Sequence, residues 1–593
     1  MSFFDDASLV FLPSGQAGKD GKAYSMKPVP EYGSELVTNG GFATDSDWTK
    51  GTGWTISGGT ANCDGTQSGN TLLYQNIGHS SNTLYRLEFT ISNYVSGTID
   101  FALDSPFFGA TNTNGTFVFD ITPSSGGNFI VRADENFVAS LDDISVKEIT
   151  TSGDFTFSRG SNLTATRVDS NGLIAKGREN LFLNSDTPAT QSINITNGGV
   201  YVLSFLGTGS IVASGGASFT LNGTGEFDRV ENYFVASSTS VTLTISGTIT
   251  EPQLELGLAA TEYIESGAST GLAGILEDSP RFDYSGGASC PSLLLEPSRT
   301  NEIGQSEYFD SWTKISEPTI TNNYGTSPEG VQNSTRFETT SGRLLYDVST
   351  INADETFSIY MRGSGTLRMN IGSDNFYPSV TSDWVRYEFK TTQVGSVGNV
   401  QIRGNGSAVD VQLYGAQYER NTYATSYIPN HSGGSVTREA DVCEGAGTSS
   451  TFNDAEGVLY AEIAALADDG TNKYISINNG GTDDYLFLRY RSDNRFQVRY
   501  RSNNTDSLNE TFDLSNNLDF NKIAVSYKRN EFKIFVNGSQ IGSTDTSGTI
   551  FNVSVDNLDF ESFNGGSNFY GKVKQVIVFN TALSDAELTA LTS

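Results

Sequence analysis

The sequence predicts an all-β, multidomain chain: an array of antiparallel jelly-roll or β-sandwich modules with a single short helix at the C-terminus. Three observations carry this. At 593 residues the chain exceeds what one hydrophobic core supports. Its 63 glycines, with abundant Asn, Ser and Thr, punctuate short runs in which apolar and polar residues alternate, as in antiparallel strands with frequent turns. Finally, a framed segment recurs three times. The copies open on ELVTNGGFATDSDW from Glu35, RENLFLNSD from Arg178 and RTNEIGQSEYFDSW from Arg299, and close on apolar-alternating lines ending at Ile149, Ser266 and Pro429. The 37 Phe and 26 Tyr supply ample core, which excludes a disordered chain.

Taken in order, residues 1–34 hold a short apolar strand at 9–12 and end in a Pro-rich linker. The first module spans 35–149. In LYRLEFTIS (84–92), Tyr85, Leu87, Phe89 and Ile91 share one face while Arg86, Glu88 and Thr90 share the other, as in a half-buried strand. A connecting segment follows at 150–178, in which Asn171-Gly172 marks a turn within ordered chain. The second module, 179–266, carries VYVLSFLG (200–207) at the matching place. A second connecting segment covers 267–298, and the third module, 299–430, has ETFSIYMRG (355–363). GEFDRVENYFVAS (225–237) answers to SDWVRYEFKTT (382–392), a further landmark of the repeat.

After a linker at 431–451, residues 452–593 change character. YLFLRYRSDNRFQVRYRS (485–502) reads as a long hairpin turning near Asp493-Asn494, and FKIFVNGSQIGS (532–543) as a hairpin about Asn537-Gly538. Ser584 and Glu587 form a capping box ahead of Leu588 and Leu591, which places the helix at the C-terminus.

Charge and composition exclude several functions. A net charge of −32 argues against nucleic acid, whose phosphates need clustered Lys and Arg, and is compatible with neutral or cationic ligands. Cys63, Cys290 and Cys443 are too few and too scattered for a disulfide framework or zinc site, and His79 and His431 cannot supply a histidine-rich metal site. No Ser-His-Asp constellation is recognisable, and among 68 acidic residues any carboxylate spacing is met by chance. The N-terminus lacks a basic n-region and reads as neither signal peptide nor membrane span; no later segment is long enough to cross a bilayer. An extracellular type of composition without an export signal fits a virus particle released by lysis.

Three resemblances sharpen this. NGGF…W with DDISV, both present in the first module, resembles the frame of jelly-roll carbohydrate-binding modules; the third module keeps the opening Trp312, and the second lacks the tryptophan. IAVSYKRNEFKIFVNGSQIG (523–542) with GKVKQVIVFNTALSDAEL (571–588) resembles a laminin-G or concanavalin-A-like lectin sandwich. The connecting phrases GDFTFSRGSNLTATRVDSNGLI, CPSLLLEPSRTN and AQYERNTYATSYIPNHSGGSVTREADVC are similar to those of fibres and surface appendages of tailed bacteriophages. Together these imply a virion adhesin, located on the particle surface and made in the host cytoplasm. Residues 1–34 would anchor it to other virion proteins, with a host-surface glycan as ligand and a trimer as oligomer. If LVFLPSG, GDFTFSRG…NGLI and SPRFDY…CPSLLLEP belong together, they form one discontinuous base carrying the first two jelly rolls as insertions.

Trp48, Trp54 and Trp312 lie in Gly-, Asp- and Ser-rich openings and are the candidates for stacking on a sugar ring, with core filling as the alternative; Trp384, in an alternating motif, reads as core. In similar jelly rolls a carboxylate on the closing strand helps hold a structural calcium ion, a role the resemblance gives to Asp142 and Asp143; a solvent-facing acidic pair is the other reading. Arg495, Arg499 and Arg501 alternate onto one strand face, where they would meet an anionic glycan or simply discourage edge-to-edge pairing. The expected function is non-enzymatic host attachment by multivalent weak glycan binding. A head-decoration fibre binding only virion proteins, or a polysaccharide depolymerase, are the alternatives.

Overall fold

A computed structural model of the chain describes residues 6–16, 31–151, 153–160, 163–349, 354–392 and 398–593. It is nearly all β, with antiparallel sheets throughout and the expected helix at Asp585–Thr592. The described residues form two compact units: one drawn from 28–154 and 447–451, the other from 1–27, 155–446 and 452–593.

The smaller unit is a jelly roll. A six-stranded sheet in the order Gly115–Ile121, Tyr85–Ser96, Val138–Thr151, Thr60–Asp64, Trp54–Ser57, with Glu31–Glu35 on the edge of Val138–Thr151, faces a five-stranded sheet centred on Asn128–Ala133. The alternation in Tyr85–Ser96 is realised as read. Leu87, Phe89 and Ile91 are buried and Arg86, Glu88 and Thr90 point outward, with Phe89 reaching across to Phe101 at a 4.0 Å ring separation. Burying side chains of this size contributes about 1.5–3 kcal/mol each.

In the larger unit, the sandwich at the C-terminus is not made from residues 452–593 alone. Its eight-stranded sheet includes Leu9–Phe11, Arg281–Asp283 and Ser292–Leu295. Leu9 pairs with Val578, Phe11 with Val576 and Leu293 with Val573, so the first strand of the chain lies against the last. Phe11 also meets Phe155 edge-on at 5.3 Å, the contact that a discontinuous base requires. Leu9, Val10 and Phe11 are at most 2% exposed and serve as core of this sandwich. Residues 17–30 of the segment 1–34 lie outside the described residues.

The connecting phrases converge on one buried ion network. Arg159 pairs with Asp441 (3.1 Å), Arg281 with Glu296 (2.6 Å) and with Asp441, and Arg438 with Glu296 (2.8 Å), all with side chains at most 3% exposed. Burial opposes ionisation of Glu296, but Arg438 and Arg281 outweigh it and hold the carboxyl well below the usual range. Each phrase thus contributes charges that are tolerable in the interior only when all are present, because an unpaired buried ion costs several kcal/mol.

The second and third modules share a frame that the first lacks. Asn180 donates to the carbonyls of Pro252 and Ile264 and accepts from the Phe182 and Leu254 amides; Asn301 does the same with Ala416, Ile428, Ile303 and Tyr418. Gln253 donates to Glu255, which accepts from Thr261, just as Gln417 donates to Glu419, which accepts from Thr425. Burial raises the carboxyls of both Glu255 and Glu419. In the third module the 18-residue strand Asp354–Ile371 pairs with Val385–Thr392 and Val409–Glu419 through its first half and with Asn399–Gly404 through its second. Gly363 lies at this corner with φ 138°, where a Cβ would stand 2.3 Å from the Asp410 carbonyl oxygen.

Candidate functional site

The C-terminal sandwich has two unlike outer faces. Helix Asp585–Thr592 covers the eight-stranded sheet through Leu588 and Leu591, which pack with Tyr460, Phe535 and Ile577. Its N-terminus is held as expected, Ser584 and Glu587 capping each other's backbone. The five-stranded sheet, in the order Thr505–Phe512, Phe496–Ser502, Tyr485–Tyr490, Lys473–Asn478, Asn557–Asp559, carries no such helix among the described residues.

Period-two alternation sends Ile475, Leu486, Leu488, Phe496 and Val498 inward and leaves a polar and aromatic outer face. Cross-strand register lines up Tyr474 with Arg489 and Gln497, and Phe487 with Arg499 and Asn509. Toward Asn557–Asp559 this face is covered by Phe563, stacked on Tyr485 at 3.8 Å with rings 9° apart. Toward Thr505–Phe512, Tyr474, Arg489, Arg499, Asn509 and Thr511 reach solvent.

Arg489 donates to the Tyr474 hydroxyl (2.5 Å) and to Gln497, and its guanidinium lies 5.2 Å from the Tyr474 ring centre; it has no ion-pair partner among the described residues. Gln497 donates onward to Asn509 (2.7 Å). A guanidinium, an amide and a tyrosine on one sheet face can bind vicinal hydroxyls while stacking an apolar ring face.

Of the residues singled out by sequence, Arg499 belongs to this face but is already engaged. It makes a two-pronged contact with Asp506 (2.9 Å each), and Arg501 approaches the same carboxylate at 3.5 Å. Burial works against the Arg499 charge, but Asp506 outweighs it and raises the guanidinium's pKa. Arg495 sits before the strand, donates to the Thr511 carbonyl (2.9 Å) and lies 3.4 Å from Asp513. The expected anionic-glycan row is therefore compensated by aspartates, and Arg489, outside it, is the cation without one.

The tryptophan candidates are corrected by burial. Trp48 is 7%, Trp54 5% and Trp312 3% exposed. Trp48 packs on Phe42 at 5.3 Å and donates to the Asn39 carbonyl (3.1 Å); Trp312 packs on Phe309 at 5.3 Å and donates to the Gln305 carbonyl (3.1 Å). In both modules the tryptophan plugs the core end and ties down the opening phrase, so no face remains for a sugar. Trp384, read as core, packs against the buried cluster of Ile174, Tyr414 and Tyr427 while staying partly exposed; it donates to the Thr326 carbonyl (3.2 Å) and lies under Arg362 at 5.0 Å.

Asp142 and Asp143 build a β-bulge. Asp142 pairs with Thr90 and Ser145 with Glu88, leaving one extra residue, and Asp143 takes it up at φ 51°. The Asp143 amide donates to Asp142 Oδ1 (2.8 Å), and the Ile144 amide to the Gly40 carbonyl (3.1 Å). A Cβ at Gly40 would stand 1.9 Å from the Ile144 carbonyl oxygen, so the opening phrase can approach the closing strand only with glycine at this position. Among the described residues no three His, Cys, Asp or Glu side chains are grouped to hold a metal.

Two further places were not legible in sequence. On the outer face of the jelly roll's six-stranded sheet, Tyr32 (41% exposed), Arg86, Glu88, Val118 and Lys147 line a groove of about 150 Å³, with Arg86 fixed by Asp120 at 2.7 and 2.8 Å. In the larger unit, a cavity of about 120 Å³ is lined by Lys176, Arg178, Glu255, Leu256 and His431. Lys176 pairs with Glu329 (2.8 Å), and Glu307 accepts from Tyr427 (2.9 Å) and Asn333 (3.0 Å). Drug-sized ligands occupy pockets of at least about 300 Å³, and these carboxylates already serve structural donors.

Residues 458–589 match the family described as the concanavalin A-like lectin/glucanases superfamily, laminin-G type. No curated protein matches the chain significantly. Among solved structures, the chain is similar to the CBM40 carbohydrate-binding module of a Ruminococcus gnavus IT-sialidase (20% identity, 25% of this chain and 94% of that one, TM-score 0.21). It is also similar to domains LG4-5 of the mouse laminin alpha1 chain (10%, 46% and 92%, 0.18). A third is the CBM22 tandem of Paenibacillus barcinonensis Xyn10C (8%, 66% and 100%, 0.16). Over residues 458–589 the C-terminal sandwich is thus similar to laminin-G/concanavalin-A-like lectin domains.

Proposed function

We propose that this protein is a non-enzymatic glycan-binding adhesin of a tailed bacteriophage particle, and that the open face of its C-terminal sandwich is the principal binding surface. The observation that carries the binding role is the asymmetry of that lectin-like domain. One sheet is covered by the helix, and the other presents Tyr474, Arg489 and Asn509 to solvent. The jelly rolls add weaker surfaces, and several weak sites on one particle gain avidity through effective concentration. Placement on a phage particle is supported by the connecting phrases, whose resemblance to virion appendages covers residues that form the buried ion network.

Probing a glycan array with the full chain and with Arg489→Ala and Tyr474→Ala tests the binding role. Binding should weaken about tenfold in either variant with an unchanged melting temperature, since one charge-assisted contact contributes on that scale. An array with no bound glycan would end the reading. A fall in polymer length on incubation with host capsule would make the protein a depolymerase instead.

A further inference from the structure

The third module carries an uncompensated row of cations. Strands Arg343–Asp347, Asn399–Gly404 and Asp354–Ile371 are neighbours in one sheet, and Arg343 pairs in register with Arg403, which pairs in turn with Arg368. Leu344, Ile402, Leu367 and Met369 fill the core, so the three arginines stand together on the outer face. Like charges directly opposite one another destabilise a sheet, and a protein normally separates them with carboxylates. Here none is present: Arg343 donates to Gln401 (3.3 Å) and Arg368 to Asn375 (2.5 Å), and among the described residues none of the three has an ion-pair partner. The buried Nε atoms of Arg343 and Arg403 lack any hydrogen-bond acceptor. Elsewhere in the same module Arg336 is paired with Asp410 and Arg420 with Glu302. Burial and the other two arginines lower the Arg403 guanidinium below its ordinary pKa.

The surroundings indicate what would relieve this. Met369 pairs with Phe376, which puts Tyr377, half exposed, beside the Arg368 end of the row. The next rung carries amides: Gln401 pairs with Asn370 and Asn370 with Asn375, the first two buried beneath the row and Asn375 exposed. Neighbouring strands lie about 4.8 Å apart, so three guanidiniums span about 10 Å, the scale of a saccharide repeat. Guanidiniums match carboxylates in fork geometry, amides match hydroxyls, and a tyrosine matches the apolar face of a pyranose. The net charge of −32 disfavours a polyphosphate duplex, which needs a far larger basic field.

We infer that the Arg343–Arg403–Arg368 row, with Tyr377 and the exposed Asn375 amide, is a binding site for a carboxylate-bearing polysaccharide. This rests on the glycan-binding reading above and assigns the third module its own ligand class.

The test is affinity electrophoresis and titration of the full chain against polygalacturonate and colominic acid. Methyl-esterified pectin, dextran and single-stranded DNA serve as comparators. The chain should bind one of the two acidic polymers and not its neutral counterparts, and binding should weaken as salt rises. Arg343→Gln/Arg403→Gln should lose at least about tenfold in affinity for that polymer. Because the row is self-repelling, the same variant should melt no lower than the parent chain. Neutral-glycan binding with no acidic binding, or acidic binding untouched by the double variant, overturns the site while leaving the adhesin reading intact. Equal binding of DNA, or a lowered melting temperature in the variant, overturns it too. Loss of all glycan binding in the parent chain would instead remove the adhesin reading beneath it.

Discussion

At the scale of single residues, the tryptophans most conspicuous in the openings of the modules are buried in the cores. Trp312→Ala should cost about 3–5 kcal/mol in chemical denaturation, the range for emptying a packed aromatic site, because it also frees the Gln305 carbonyl. A binding defect without that loss would show Trp312 to be a ligand contact after all. Asp143 sits at positive φ in its bulge. Asp143→Gly should therefore leave stability nearly unchanged, whereas Asp143→Val should lower it by about 1–2 kcal/mol, since a β-branched residue resists that conformation; thermal melts of the two variants decide it. The tryptophans were ambiguous in sequence because a Gly- and Asp-rich opening marks a tight loop, and loops of that kind both bury and expose their aromatic residue. Only the Phe42 and Phe309 contacts resolve the choice.

At the scale of elements, local signals were legible and mutual ones were not. The Asn537-Gly538 hairpin has φ 47° and 82° at those residues, the left-handed pair that a two-residue turn between twisted strands requires. The capping box at Ser584 is likewise complete within four residues; Ser584→Ala should lower stability by about 1 kcal/mol, read from the unfolding midpoint of the sandwich. The inside-outside alternation of Tyr85–Ser96 follows from its own sequence. The buried Gln253–Glu255–Thr261 and Gln417–Glu419–Thr425 frames did not announce themselves, because their residue types look like ordinary surface polarity until a second layer covers them. The arginine row escaped notice for a related reason: Arg343, Arg368 and Arg403 are spread over 60 residues and meet only through sheet register.

At the scale of the molecule, the C-terminal sandwich depends on distant chain. A fragment of residues 452–593 should express as an aggregating or molten species, because strand Gly571–Phe579 loses both Leu9–Phe11 and Ser292–Leu295 from its edge. Appending those segments should restore a cooperative melt; a well-folded bare fragment would count against the discontinuous domain. Host-adsorption experiments on the open face therefore call for point substitutions in place of truncation.

Acid sensitivity has the same origin. In Glu307, burial opposes ionisation, yet His431 and Lys176 hold the carboxyl at about 2 against an ordinary 4.5. A depressed folded value means that this stability is fully present above the unfolded carboxyl range and is lost as pH falls from about 4.5 toward 2. Melting curves across that window should show the larger unit losing stability, and Glu307→Gln should flatten the dependence.

The sequence by itself determined what short-range chemistry controls: an all-β chain of repeated modules, its turns, its helix cap, and a lectin-like ending. Those features depend on residues within a few positions of one another. Tertiary structure decided which polar residues are interior, that the opening tryptophans are buried, where the first strand belongs, and which arginines stand together without a counter-charge. These depend on pairing between segments up to 570 residues apart, as when Ser8 donates to the Val578 carbonyl, and alternation in a strand specifies two faces without saying what will cover either.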